Sequence, residues 1–276
     1  MKRILLTGSN GFIGKNLKQS LSSKDVLYEL NESFYKDIDW KYKLNEDLLI
    51  TQPNVIFHVG ACSDTLEQDV NYMMLRNFES TKILTDYSKQ FNIPLIYSSS
   101  AASYGTDGMN PSNLYGWSKY VAEQYVISNG GIGLRYFNVY GPGEEHKGKM
   151  ASMIFQIIEK EKKSEEIKLF PKNPKRDFVY VKDIVNANLY AYENYDKLKS
   201  NYYDVGTGIE RSFEDIVNCL KFNDYSYYEE TDIPKGYQFH TKANVNKFMF
   251  GWSPKYNLEN GIEDYLKHIT PYRSLT

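Results

Sequence analysis

Residues 7–14 read TGSNGFIG and set Gly8, Gly11 and Gly14 between a short apolar run, KRILLT (2–7), and GFIGKNLKQSLSS, where Phe12, Ile13, Leu17 and Leu21 recur at helical spacing. A strand that turns through glycines into a helix constrains the fold more than any other feature of the chain. The first glycine permits a tight turn, the second lets a pyrophosphate approach the backbone, and the third allows close helix packing. The helix start then presents N–H groups and the positive end of its dipole to the phosphates. The expectation is a dinucleotide site around Gly8, Gly11, Phe12, Ile13 and Gly14.

The rest of the first half keeps the same rhythm. VLYEL (26–30), NVIFHVGA (54–61), PLIYSSS (94–100) and GIGLRYFN (131–138) read as strands. LNEDLLITQ, closed by Pro53, and residues 72–90 and 117–129 read as helices. Strands alternating with helices predict a doubly wound α/β domain with a parallel sheet. After about Gly141 the pattern changes. Residues 150–163 form an amphipathic helix, IKLFPKNPKRDFVYV has a β-rich end, 183–195 is helical again, and YSYYEE (225–230) reads as a strand of a smaller lobe. Residues 1–165 are expected to form the dinucleotide-binding domain, with 176–205 returning to it. Residues 142–175 and 206–276 are expected to form a C-terminal substrate-binding lobe.

The 276 residues can bury a sizeable core without disulfides or metals. A formal charge of −2 and the lack of a basic block argue against nucleic acid as a partner. No run approaches the ~20 apolar residues of a membrane span, and MKRILLTG is too short for a signal sequence. Cys62 and Cys219 stand far apart in no metal-like spacing, which fits a reducing cytoplasm.

At the end of the second strand stands Glu29, whose carboxylate can bind both ribose hydroxyls and repel a 2′-phosphate, favouring NAD over NADP. Asp37 and Ile38 then fall where an adenine contact is expected, and a solvated loop is an equally good reading of that pair. In LYGWSKYVAEQY (114–125), Tyr115 and Lys119 share one helix face at i, i+4. A phenol with pKa ~10 is a poor base at neutral pH, and a nearby ammonium lowers that value. Ser100 ends a strand at the carboxyl edge of the sheet, where doubly wound folds bind ligands. Together these three suit acid/base chemistry between an alcohol and a ketone. His58 ends an apolar strand and reads as a structural histidine; Cys62 reads as a small buried hydrophobe. By residue type alone, Lys147 in EEHKGKM is part of a solvated loop.

TGSNGFIG, HVGA, SSSAASYG, YGWSK, RYFNVYGP and RDFVYVKD stand in order from residue 7 to 183. In this the chain resembles the extended short-chain dehydrogenase/reductases of the nucleotide-sugar epimerase/dehydratase family. The resemblance implies an NAD(P)-dependent enzyme with Tyr115 as acid/base, Lys119 as its partner and Ser100 on the substrate hydroxyl. It implies Gly60 and Ala61 beside the cofactor, and Asn138 and Arg176 on the substrate, with Arg176 at the diphosphate. Ala101 and Ala102 stand where the 4,6-dehydratases of that family carry an Asp-Glu pair, which argues against dehydration.

NVYGPGEEHKGKMAS, HVGACSDT, LFPKNPKRDFVYV and KGYQFHTKAN are similar to one subfamily, the ADP-L-glycero-D-manno-heptose 6-epimerases. That similarity implies Lys147 as a second acid/base residue and Tyr237 as a substrate contact. Lys149 and Gln156 replace a subfamily serine and histidine at substrate-facing positions. Members of the family are usually dimers or larger, often through the helix of the Tyr-Lys pair, here with Val121, Tyr125 and the 72–90 helix. Two alternatives stay open: a 4-epimerase or keto-reductase on another nucleotide sugar, which has no use for Lys147, and an NAD(P) sensor without turnover. Retention of Ser100, Tyr115 and Lys119 argues against the sensor.

Overall fold

The structure is a computed structural model and describes residues 1–106, 108–222, 224–232 and 238–269. The first strand, β1 (Arg3–Thr7), leads through the glycine turn into α1 (Phe12–Ser20), then β2 (Val26–Leu30), α2 (Trp40–Thr51) and β3 (Val55–His58). Helices α3 (Val70–Met74) and α4 (Ser80–Phe91) follow, then β4 (Leu95–Ser100), α5 (Leu114–Ser128) and β5 (Ile132–Tyr136). A sixth strand arrives much later. After β6 (Asn138–Tyr140), α6 (Met153–Lys162), β7 (Lys168–Leu169), β8 (Lys175–Tyr180), α7 (Val181–Glu193) and α8 (Tyr195–Leu198), the chain returns as β9 (Asn201–Val205). The main sheet is parallel throughout, in the order β2-β1-β3-β4-β5-β9. Every residue of β3 and β5 is buried, as helices on both faces of a parallel sheet require.

Smaller elements build the remainder. Strand β8 pairs with β6 in parallel and with β10 (Glu210–Ser212) antiparallel. Helix α9 (Phe213–Cys219) starts from a capping box formed by Ser212 and Asp215. The short β11 (Ser226–Tyr227) pairs with β7, and α10 (Leu258–Leu266) closes the lobe. Its core gathers Ile154, Ile158, Phe178, Phe213, Ile216, Ile262 and Tyr265. Three buried aspartates tie distant segments together through main-chain N–H groups. Asp177 accepts from Thr207, Gly208 and Ala243, Asp183 from Lys255 and Tyr256, and Asp204 from Asn244. No helix among the described residues is long and apolar enough to cross a membrane.

Four sequence expectations shift. The single helix expected over 72–90 is α3 and α4 joined by a π-turn, Leu75–Glu79. Helix α5 starts three residues earlier than residue 117, because the Asn113 side chain accepts from the Gly116 N–H at 2.7 Å and caps it. Helix α6 starts at Met153 under a Ser152 cap, since Gly148 (φ +52°) interrupts the 3₁₀ turn before it. The Tyr-rich segment contributes only the two residues of β11. Strand β9, NYYDV, went unread because it is short and only half-buried along its first residues.

Helix α5 is fixed to the sheet by a charge pair inside the core. Arg135 of β5 donates to both carboxylate oxygens of Glu123 at 2.8 and 2.6 Å, with 3% and 0% of the two residues exposed. The guanidinium is sandwiched between the rings of Tyr104 and Tyr202, 4.3 and 3.8 Å from their centroids. Removing one partner strands a buried charge, whereas replacing both with apolar groups does not. In chemical denaturation, Arg135→Met is expected to cost about 3–5 kcal/mol, and the Arg135→Met/Glu123→Leu double variant to recover most of that loss.

Candidate active site

Strand β1 lies between β2 and β3, so the connections leaving its carboxyl end diverge and open a crevice. Gly8 takes the left-handed conformation (φ +68°) and donates to the Leu30 carbonyl at 2.7 Å. A Cβ on Gly8 would lie 2.6 Å from the Gly60 Cα, and one on Gly14 would lie 2.0 Å from the Gly8 oxygen. The glycine turn and the loop after β3 therefore pack backbone against backbone. The resulting cleft, about 510 Å³, is lined by Gly8, Gly11, Phe12, Ile13 and Gly14, and from the second loop by Gly60 and Ala61. The first turn of α1 carries no acidic residue, and no side chain caps it. Bare helix N–H groups behind a glycine cradle fit the diphosphate of a dinucleotide. On the same wall the buried Ser99 hydroxyl has no hydrogen-bond partner among the described residues.

Tyr115 and Lys119 both line this cleft. Tyr115 lies in the first turn of α5, which packs so tightly on the turn after β4 that a Cβ on Gly116 would lie 2.6 Å from the Ala102 oxygen. Lys119 is 2% exposed, with Nζ 4.3 Å from the centre of the Tyr97 ring. Burial pulls its pKa down to about 7, against the charge of Glu123 one turn further on. The spacing argument gave Lys119 the task of lowering the Tyr115 phenol. In the protein itself burial pushes the phenol up, and the hydrogen-bonding hydroxyl of Ser100 is what opposes that rise. Ser100 also accepts from the Ala102 N–H at 3.1 Å, so its position is fixed from both sides.

Lys147 reaches the same cleft from a 3₁₀ turn, Glu145–Met150, with Nζ 5.6 Å from the Phe12 ring centre. Burial lowers its pKa, and the nearby Glu144 carboxylate raises it. The cleft is thus reached by titratable groups from two separate elements, α5 and the loop after β6.

Several expected residues stand elsewhere. Glu29 pairs with Lys18 at 2.7 Å and does not line the cleft; Asn31, two residues on, does. The strand ends its pairing at Leu30, and Asn31 accepts from the Ser9 hydroxyl and the Asn10 N–H. Glu29 is thus turned to Lys18 and to the Ser9 hydroxyl of the glycine turn. Asp37 is held by Lys43, and Ile38 is 94% exposed, so neither forms a wall for adenine. That side of the cleft is built by Tyr35, Tyr72 and Arg76, whose guanidinium lies 4.7 and 5.1 Å from the two ring centres.

The expected substrate residues do not line this cleft. Asn138 is exposed and accepts from the Thr241 hydroxyl at 2.9 Å. Lys149 is exposed, and Gln156 donates to the carbonyls of Ala151 and Lys149. Arg176 is 9% exposed, donates to the Lys175 carbonyl at 2.9 Å and lies 5.9 Å from the Phe213 ring centre. Tyr237 lies outside the described residues.

Asn77 escaped the sequence reading. The π-turn carries it inward, where it accepts from the Cys62 N–H (2.7 Å) and donates to the Cys62 carbonyl (3.0 Å) and the Ser118 hydroxyl (2.9 Å). One amide thereby ties the loop after β3 to the helix of Tyr115. Only an interruption of helical periodicity in 72–90 would have signalled it, and π-turns of this kind recur at functional sites.

His58 is buried beneath the cleft, with Nδ1 2.7 Å from the Thr7 hydroxyl and Nε2 2.8 Å from the Thr81 hydroxyl. The Thr7 hydroxyl also accepts from the Gly60 N–H at 2.9 Å, so this network sets the spacing of the two glycine loops. Burial and the Lys119 charge push the His58 pKa down to about 3. An unfolded chain binds a proton there below about pH 6.5, whereas the folded chain does not until about pH 3. The stability is present above pH 6.5 and is lost as pH falls through that window. In urea melts across pH 4–7, His58→Asn is expected to be less stable at pH 7 and to lose less stability on acidification. The difference in slope approaches about 1.4 kcal/mol per pH unit.

Comparison with known proteins matches residues 4–206 to the NAD dependent epimerase/dehydratase family. The ADP-L-glycero-D-manno-heptose-6-epimerase of Brachyspira hyodysenteriae is 35% identical over 95% of this chain and 96% of its own length. Among solved structures, the Helicobacter pylori ADP-L-glycero-D-manno-heptose-6-epimerase superposes with a TM-score of 0.86 at 31% identity, covering 98% of this chain and 97% of that one. A UDP-glucose 4-epimerase from Thermotoga maritima shares the fold, with a TM-score of 0.80 at 22% identity, over 96% of this chain and 97% of its own. The parallel sheet with helices on both faces agrees with these matches, and the chain belongs to the NAD dependent epimerase/dehydratase family.

Proposed function

We propose that this protein inverts C6 of a nucleotide-activated heptose, converting ADP-D-glycero-D-manno-heptose to its L-glycero epimer with NAD held in the cleft. The observation that carries this reading is the convergence of Tyr115 and Lys147 on one cleft from two different elements. Inverting a secondary alcohol by oxidation and re-reduction needs a proton removed on one side and delivered on the other. A single acid/base residue serves an epimerase that turns its substrate around; two facing residues serve one that presents the other face of a small ketone. The 35% identity to a heptose 6-epimerase over nearly the whole chain supports the same choice.

The glycine cradle and the α1 N-terminus hold the diphosphate of the dinucleotide, and Tyr35, Tyr72 and Arg76 flank the cleft beyond Asn31. When bound, NAD would supply the hydride acceptor and donor for oxidation and re-reduction at C6. Tyr115 takes the C6 hydroxyl proton as the ketone forms, with Ser100 bonded to the phenol. Lys119, poised near neutrality by burial, supplies positive charge beside the phenolate. After the carbonyl turns over, Lys147 donates the proton to its oxygen. Asn138, Lys149, Gln156, Arg176 and Tyr237 are proposed to contact the rest of the nucleotide sugar, Arg176 through the fork geometry that suits a diphosphate. Trp117 and Val121, 45% and 37% exposed one turn apart on α5, are proposed as a self-association face, to be read by light scattering.

A proton NMR time course with ADP-D-glycero-D-manno-heptose and catalytic NAD is expected to show the L-glycero epimer accumulating without net NADH. An unchanged spectrum with cofactor bound would overturn the substrate assignment. Tyr115→Phe is expected to slow turnover about 10²–10⁴-fold. Lys147→Ala is expected to do likewise while leaving NAD affinity intact; full activity in that variant would overturn the two-residue reading.

A further inference from the structure

Glu144 is a buried carboxylate to which the mechanism above gives no task. It is completely inaccessible, yet it forms no ion pair within 4 Å among the described residues. Its oxygens accept instead from the Gly141 N–H (3.1 Å), the Ser152 N–H (2.6 Å) and the Ser152 hydroxyl (2.9 Å). Those two residues are the ends of the loop that carries Lys147, and the Lys147 N–H donates to the Glu144 carbonyl at 3.0 Å. The loop is also pinned from α1, where the Asn16 amide donates to the Pro142 carbonyl at 2.8 Å. Ser152 is at the same time the cap of α6, accepting from the Phe155 N–H at 3.1 Å. One side chain thus staples together the ends of the twelve-residue loop that has Lys147 at its centre.

We propose that Glu144 is the positioning residue of Lys147: it locks the loop that holds the lysine at the cleft and supplies the buried negative charge that the ammonium faces. This rests on the reading of Lys147 as the second acid/base residue. A loop could be closed by any acceptor, so an asparagine or a serine would serve if geometry were the only demand. A carboxylate in a fully buried position costs desolvation, which raises the proton affinity of Glu144, while its three donors and the Lys147 charge work against that rise. Its charge is then felt strongly across the low-dielectric floor of the loop. Among the described residues, Glu144 is the ionisable group whose charge acts on Lys147. On the same turn Glu145, His146 and Lys149 are exposed, and from α10 the phenol of Tyr265 faces Glu144, raised far above its usual range by burial and by that carboxylate. Burial lowers the proton affinity of the Lys147 ammonium and the Glu144 charge raises it, so the two act in opposite senses on the group that donates to the ketone oxygen.

The test measures Lys147 itself, apart from turnover. Competitive acetylation of the full-length protein with acetic anhydride at a series of pH values, read by mass spectrometry at Lys147, gives its titration midpoint whether or not any sugar is epimerised. In Glu144→Gln the midpoint is expected to fall by on the order of one pH unit. In Ser152→Ala, which removes a loop hydrogen bond and keeps the charge, the midpoint is expected to stay. An unmoved midpoint in folded Glu144→Gln, or an equal fall in Ser152→Ala, overturns the proposal. Should Glu144→Gln not fold, Glu144→Asp and Glu144→Asn repeat the comparison at constant size; the Asn midpoint must lie below that of Asp, and equal midpoints refute the charge. If the wild-type chain epimerises nothing while the midpoint still shifts, the functional reading fails and the coupling stands.

Discussion

The depth to which α5 is pressed against the sheet governs the whole site. That helix brings Tyr115, Lys119 and Glu123 along one side, a turn apart each, with Tyr115 half-buried at the cleft and the other two buried. Lys119 is deprived of water and drifts towards neutrality; Glu123 restrains it; Glu123 is itself paid for by Arg135 on the neighbouring strand. The electrostatics therefore run inward from the cleft to the core, and the charge pair beneath the helix belongs to the chemistry as much as to stability. Burial that is expensive for folding brings Lys119 to neutral pH and moves the Tyr115 phenol the other way, so the phenol depends on the groups around it.

The two glycine loops add the second constraint. Thr7, His58 and Thr81 form a hydrogen-bonded rod under the cleft, and Thr7 also bonds the Gly60 N–H. Neither loop can move without breaking that rod. The cleft is shaped by backbone meeting backbone, with side chains arriving afterwards from α5 and from the Lys147 loop.

Much of this was legible in the sequence, for definite reasons. The alternation of buried strands with helices shows in apolar runs, and the glycine turn shows because only glycine fits where a Cβ would collide with the opposite loop. The Tyr-Lys pair shows because helical spacing fixes it. The wall of the cleft next to β2 did not show. A shift of two residues separates Glu29 from Asn31, and no pattern of charges settles where pairing stops. For Asp37 and Ile38 the order of residues left an adenine contact and a solvated loop equally open, and their places beside Lys43 and in solvent agree with the loop. Asn77 and Glu144 were missed because each acts through main-chain partners, which leave no trace in residue type.

The aspartates of β8 and its surroundings bear on how the chain can be divided. Asp177 holds Thr207 and Gly208 with one hand and Ala243 with the other, while Asp204 holds Asn244 and Asp183 holds Lys255 and Tyr256. The stretch matched by the family description ends at residue 206, one residue before the first of these donors. A chain cut there would keep all three carboxylates and lose the groups that satisfy them. The sheet and the lobe are in that sense one object, joined by hydrogen bonds that cross the apparent seam, and the boundary drawn by similarity is no place at which the molecule can be parted.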